Sequence, residues 1–255
     1  MTTHPHGFLP ILVLACALAA GSRADNALDA REIVSRAQAA AGGEVWRDAQ
    51  SLVLRGYATF FANGAMQRAT AADSYQMWRV FPRESRDAHT ANGQVAFHAQ
   101  QGENTVFHIS FDGLHSYDQN GRIEDAAASE QWKSNFGFGI FRFALDEGFT
   151  LHRLADDSVD GHPCHFVKVI DPTERSTLFA IDRNSYNIRM VGFDTPRGFH
   201  HRIYDSFYSN DDGFLQPESV RLYYDGVKTA DIRWTQFELN SDIDPQVFVI
   251  EAATP

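Results

Sequence analysis

The stretch Ser51-Leu52-Val53-Leu54-Arg55-Gly56-Tyr57-Ala58-Thr59-Phe60-Phe61, followed by Ala62-Asn63-Gly64, decides the fold. Successive side chains of a strand point to opposite faces. Leu52, Leu54, Ala58 and Phe60 therefore share one face, and Val53, Arg55, Tyr57, Thr59 and Phe61 share the other. Asn63-Gly64 is a strong hairpin signal, because both residues tolerate the left-handed backbone of a tight turn. Gln67 to Phe81 is expected to return antiparallel, with Pro82 ending it, since proline cannot donate to a ladder.

Working outward, Arg83 to His89, Gln94 to Gln100 and Thr105 to Phe111 continue the series, punctuated by Asn92-Gly93, Gln101-Gly102, Asp112-Gly113 and Asn120-Gly121. After Gly161 come Phe166 to Ile170, Ser176 to Asp182, Asn187 to Phe193, His201 to Ser209, Ser219 to Tyr224 and Ala230 to Leu239. Short, regular connections argue for an antiparallel meander in a mainly β (α+β) chain. About 11 such strands must curl or close to hide their edges. Several are apolar on both faces, as Leu178 and Ala180 are against Phe179 and Ile181. One face can then pack on helices, and the other needs a second core or a cavity. Twenty phenylalanines suit a large apolar interior.

Two segments read as helical. Near the start, Asp25 or Asn26 can cap a helix whose face is Leu28, Ile33, Val34, Ala37 and Ala41, ended by Gly42-Gly43, with Trp46 in the following link. Ala126 to Asn135 is the second. It runs into a greasy patch of Phe136, Phe138, Ile140, Phe141, Phe143 and Leu145 around Gly137 and Gly139, either a buried plug or an apolar lid.

Phe8 to Ala20 is an apolar run shorter than the ~20 residues that span a bilayer. Ser22 and Ala24 are small residues at the positions a signal peptidase reads, so residues 1–24 are expected to be a leader and 25–255 the exported domain. Val13-Leu14-Ala15-Cys16 is a poor lipobox, and lipidation at Cys16 is the less favoured alternative. Such a cut leaves Cys164 as the sole thiol, so no internal disulfide is expected. The net charge is −11; removing Arg23 leaves 21 basic residues against 33 acidic ones. That balance disfavours nucleic acid and anionic membrane surfaces as partners.

Signatures of enzyme chemistry are missing: there is no phosphate loop, dinucleotide fingerprint, nucleophile elbow or His-Glu-x-x-His. His162-Pro163-Cys164-His165 offers ligand types, but strand alternation separates neighbours and no second cluster follows at a zinc spacing. His98, His108 and His115 lie in or beside consecutive strands, and two of them could meet across a ladder. His200-His201 follows Gly198-Phe199 and reads as a solvated turn. No metal, no cofactor and no catalytic residue is expected.

The order of elements then becomes informative. A small helix ends at Gly42-Gly43 near Trp46, and a long first hairpin follows. Ile109-Ser110-Phe111-Asp112-Gly113 ends a strand, and Val159-Asp160-Gly161-His162-Pro163-Cys164 leads into Phe166-Val167-Lys168-Val169. Ala180-Ile181-Asp182 precedes Tyr186 and Ile188, and Gly213-Phe214-Leu215-Gln216-Pro217 opens a late strand. Asn240, Ile243, Asp244 and Val247-Phe248 close the chain. This resembles the LolA-like family of outer-membrane lipoprotein-sorting proteins, with LolB and the RseB sensor domain. The resemblance implies a strongly curved, unclosed sheet (an incomplete β-barrel) whose apolar concave face is covered by helices. It also implies a periplasmic carrier of lipoprotein acyl chains or another lipid, which is not an enzyme. The family's functional arginine has no single counterpart among Arg55, Arg68 and Arg79. Leu52, Leu54, Phe60, Tyr75, Met77, Phe107, Ile109, Phe179, Met190 and Trp234 are the expected ligand-binding lining, with Phe138 and Phe141 near the mouth. Two alternatives stand beside this: an RseB-like sensor with an envelope protein partner, and a hydrolytic or metal-dependent enzyme using the three strand histidines.

Overall fold

A computed structural model describes residues 28–64, 69–81, 93–127 and 141–251. The expected strand at 83–89, most of the expected second helix and Phe138 lie outside these residues. Helix α1 spans Ala30–Ala41, α2 is one turn at Glu44–Arg47, and a 3-10 turn forms at Pro245–Phe248. The strands are β1 (Ser51–Phe61), β2 (Ala69–Val80), β3 (Gln94–Gln101), β4 (Asn104–Phe111), β5 (Ser116–Asp118), β6 (Gly121–Arg122), β7 (Thr150–Arg153), β8 (Asp157–Val159), β9 (His162–Ile170), β10 (Ser176–Asp182), β11 (Ile188–Thr195), β12 (Gly198–Ser209), β13 (Leu215–Tyr224) and β14 (Val227–Leu239).

All fourteen strands join one antiparallel sheet in the order β6-β5-β4-β3-β2-β1-β14-β13-β12-β11-β10-β9-β7, with β8 on β9. The count exceeds the expected eleven because β5 to β8 are pieces of two to four residues, too short to show a period. Two meanders are fused where the first strand pairs with the last, from Leu52 opposite Leu239 to Phe60 opposite Ala230. The sheet does not close: β6 and β7 stay apart as edges, giving an open half-barrel. Both edges are short, which limits the unpaired backbone offered to other chains.

The sheet is bulged in the middle of β1. Its register slips between Arg55 and Gly56 against β14, and between Gly56 and Ala58 against β2. Such a bulge adds twist and bends its strand. Only glycine fits there, because a Cβ on Gly56 would lie 1.9 Å from the Arg233 carbonyl oxygen.

Helix α1 lies on the inner, concave face against β7, β9 and β13. It buries Ala30, Ile33, Val34, Ala37 and Ala41, four of which the sequence pattern marks. Its cap is Asp29, not Asp25 or Asn26: the Asp29 carboxylate accepts from the Glu32 amide at 2.7 Å. Gly42 ends the helix at φ 127°, a conformation that favours glycine. Trp46 is buried in α2, edge-on to Phe141. Phe141 in turn packs on Phe179 with ring centres 4.6 Å apart. This part of the concave face, with Val167, Val169, Ile181 and Val191, is buried core. On the opposite face a small second cluster gathers Val159, Cys164 and Ala180, with Phe166, Met190 and Ile203 packed on it.

Candidate functional site: an apolar cavity in the half-barrel

Where α1 does not reach, the concave face encloses a cavity of about 530 Å³. This falls within the ~300–1,000 Å³ usual for small-molecule sites. The pleat selects most of its lining. Leu52, Leu54 and Phe60 come from β1, Tyr75, Met77 and Arg79 from β2, Phe97 from β3, and Phe107 and Ile109 from β4. Ala230, Ile232 and Trp234 of β14, Val220, Leu222 and Tyr224 of β13, and His200, Arg202 and Tyr204 of β12 complete the curve.

An aromatic cage forms the centre. Tyr75 stacks on Trp234 at 5.0 Å between centroids, with 15° between planes, and on Phe97 at 6.1 Å. Phe60 stands edge-on to Tyr75 at 5.6 Å and to Phe107 at 4.9 Å. These are favourable geometries for the ring quadrupoles. Burial pushes the Tyr75 phenol well above its usual range, so it stays neutral. The Gly56 bulge makes the cage, because Gly56 pairs with both Trp234 and Tyr75 and has no side chain between them.

Eight of the expected lining residues stand on this wall: Leu52, Leu54, Phe60, Tyr75, Met77, Phe107, Ile109 and Trp234. Phe141 and Phe179 do not; they are buried against each other beneath Trp46 and α1. Met190 is on the outer face, since Val191 next to it points inward and Met190 pairs with Ala180 and Ile203. Of the arginines raised from the sequence, Arg79 lines the cavity, Arg55 pairs with Glu238 at the surface, and Arg68 lies outside the described residues.

The sequence reading missed the β12–β13 wall. His200 is not a solvated turn residue: it is 1% exposed. Strand β12 already begins at Gly198, so His200, Arg202 and Tyr204 alternate inward. The His200 Nδ1–H donates to the Tyr223 carbonyl at 3.1 Å, and its Nε2 accepts from Arg202 Nε at 2.9 Å. Burial, then the adjacent Arg202 charge, push its pKa down to about 2, so the ring is neutral. Arg79 is lowered to about 10 by burial and then by Arg202. Behind Phe81, Arg142 is 2% exposed and stacks its guanidinium 3.7 Å over that ring and 4.9 Å over Trp46.

Elsewhere, His98 and His108 meet across β3 and β4 with ring centroids 4.5 Å apart. They lie on the outer face, and burial lowers both pKa values. His115 stays apart, 3.6 Å from Asp112. Cys164 is buried, and desolvation raises its thiol to about 11. Among the described residues no group of three or more His, Cys, Asp or Glu side chains is placed to hold a metal ion. Nor, among them, is any helix long and apolar enough to cross a membrane.

An open antiparallel half-barrel, a helix on its concave side and an apolar cavity beside that helix define a class of protein, and this fold is LolA-like. A LolA superfamily protein from Nitrosomonas europaea superposes with a TM-score of 0.50 at 12% identity, over 88% of this chain and 98% of its own. A DUF1329 family protein from Desulfovibrio piger gives 0.49 at 8%, over 86% and 95%. A domain named for outer membrane lipoprotein sorting, from Vibrio parahaemolyticus, gives 0.48 at 10%, over 86% and 95%. No protein-family sequence model matches this chain, and no curated protein matches it by sequence.

Proposed function

We propose that this protein is an exported, periplasmic carrier that holds the acyl chain of a lipid or lipoprotein in the half-barrel cavity, with residues 1–24 as leader and 25–255 as the working domain. The observation that carries this reading is the cavity itself: about 530 Å³ beside a continuous aromatic and aliphatic wall. Ordinary packing would fill such a space. An acyl chain gains about 25 cal/mol per Å² of apolar surface removed from water, with no need of a reacting group. The LolA-like fold supports the same role.

Native mass spectrometry of the protein taken from cell envelope, followed by organic extraction, tests it. The expected result is an acyl-chain species at near one per protein. Met77→Asp should abolish uptake of a hydrophobic fluorophore while the circular dichroism stays native. A folded Met77→Asp protein that binds as well as wild type would remove this wall from the proposal.

A further inference from the structure

Directly behind the aromatic wall of the cavity, the outer face carries two histidines in contact. Phe97, Phe107 and Ile109 line the cavity, so the pleat turns their chain neighbours His98 and His108 outward. The two are direct partners across the β3–β4 ladder. Opposite Cβ atoms in such a pair lie about 4.5–5.5 Å apart. The ring centroids are 4.5 Å apart, with 32° between planes. Both residues are half-buried.

Other histidines of the sheet have a different kind of neighbour. His115, His162 and His165 each face an aspartate. Both ring nitrogens of His200 are engaged, and His201 lies flat against Tyr223. At His98 and His108 each imidazole faces another imidazole instead. Among the described residues, their only hydrogen-bond contact is a long one, 3.4 Å from His98 Nε2 to the Thr105 hydroxyl. Burial disfavours the protonated form of both rings, and at His108 the neighbouring His98 adds to this. At neutral pH each ring therefore keeps a nitrogen lone pair.

Such a nitrogen is a good ligand for Cu(II), Ni(II) and Zn(II). A metal about 2.0–2.1 Å from one nitrogen of each ring, with the two bonds at a right angle, sets the ring centres roughly 4.5 Å apart. A tetrahedral angle would set them roughly 5.2 Å apart. The observed spacing fits the right angle, which is the preference of tetragonal ions. The outer torsion of histidine is broad, so each ring can aim a nitrogen at a shared point without moving its strand.

We propose that His98 and His108 form a site for one divalent transition-metal ion of tetragonal preference, Cu(II) above all, with water in its remaining positions. The ion bridges β3 to β4 behind Phe97 and Phe107. The acyl-chain reading neither needs it nor excludes it.

The test uses the untagged protein taken from cell envelope and stripped of metal with a chelator. Calorimetric titration at neutral pH should show a saturable Cu(II) site at one per protein, about tenfold or more tighter than for Ni(II) or Zn(II). His98→Gln and, separately, His108→Gln should weaken Cu(II) binding about tenfold or more, with native circular dichroism. His115→Gln, which removes the ring that faces Asp112, should leave binding unchanged. Electron spin echo spectra of the wild-type Cu(II) complex should show two imidazole ligands, a reading that needs no variant. No saturable site, fewer than two imidazoles on the copper, or a loss in His115→Gln as large as in the paired histidines would overturn the site.

Discussion

The concave face carries the same kind of residue on both sides of the sheet, but it is finished in two ways. Around β9 to β11, Val167, Phe179 and Val191 are fully buried in one core with Phe141, Trp46 and α1. Around β1 to β4 and β12 to β14, Leu54, Tyr75, Phe107 and Trp234 meet one another's edges and an empty volume. Hydrophobicity does not separate the two regions. Among the described residues, what separates them is how much of each α1, α2 and Phe141 cover. A wall residue is therefore available for binding because a covering element stops short of it, and its chemistry alone does not make it so.

The sharpest way to break this comparison is to cut the same atoms from both sides. Phe179→Ala should cost about 3–5 kcal/mol, as truncation of a fully packed ring does. Denaturant unfolding reads this directly, and a loss below ~1 kcal/mol would mean that the packed half is not packed. Next comes acid. His200 is neutral in the fold with its pKa pushed down to about 2, and an unfolded histidine titrates near 6.5. The unfolded chain thus binds the extra proton, so stability is full above about pH 6.5 and falls by ~1.4 kcal/mol per pH unit as pH drops towards 2. Unfolding curves at pH 7 and 5.5 should show a smaller acid loss in His200→Gln than in wild type; equal slopes would remove His200 from the buried wall. Loosening the cover instead, Asp29→Ala removes the cap of α1 and should cost ~1 kcal/mol. A helix held only by its packing would show no change in midpoint. The smallest stability effect belongs to the open side: Phe107→Ala should cost under ~1.5 kcal/mol, because its ring already borders a void. It should still weaken uptake of N-phenyl-1-naphthylamine several-fold. A stability loss as large as that of Phe179→Ala would place Phe107 in core.

The first hairpin was legible in the sequence because period-two alternation survives there. Leu52, Leu54, Phe60, Tyr75 and Met77 needed only the pleat and one turn signal. Phe179 and Phe141 lie in the core, away from the cavity, for a reason the sequence does not carry. Alternation gives the face of a residue, but not whether a helix distant in sequence covers that face. Met190 is legible by parity: Val191 and Phe193 face inward, so Met190 turns outward, against the expected lining. Arg202 and His200 were hidden by the start of β12. Gly198-Phe199 has the composition of a turn, yet β12 starts at Gly198, and from there His200, Arg202 and Tyr204 alternate inward. The seam of β1 with β14 leaves no local trace, because ladder partners far apart in sequence are chosen by the whole sheet. Without that seam Trp234 cannot be known to stack on Tyr75.

The same seam sets a schedule. Of the described strands β1 is delivered first and β14 last, so their ladder cannot form until every other described strand has been made. Until then the first hairpin carries Phe60 and Tyr75 without Trp234, and β1 has a bare edge along its length. Contacts this distant are slow to form, and unpaired apolar strands are what holdases recognise and what aggregates grow from. A chain of this design stays vulnerable until β14 is delivered, and truncations short of Val227 should be degraded or insoluble instead of merely empty.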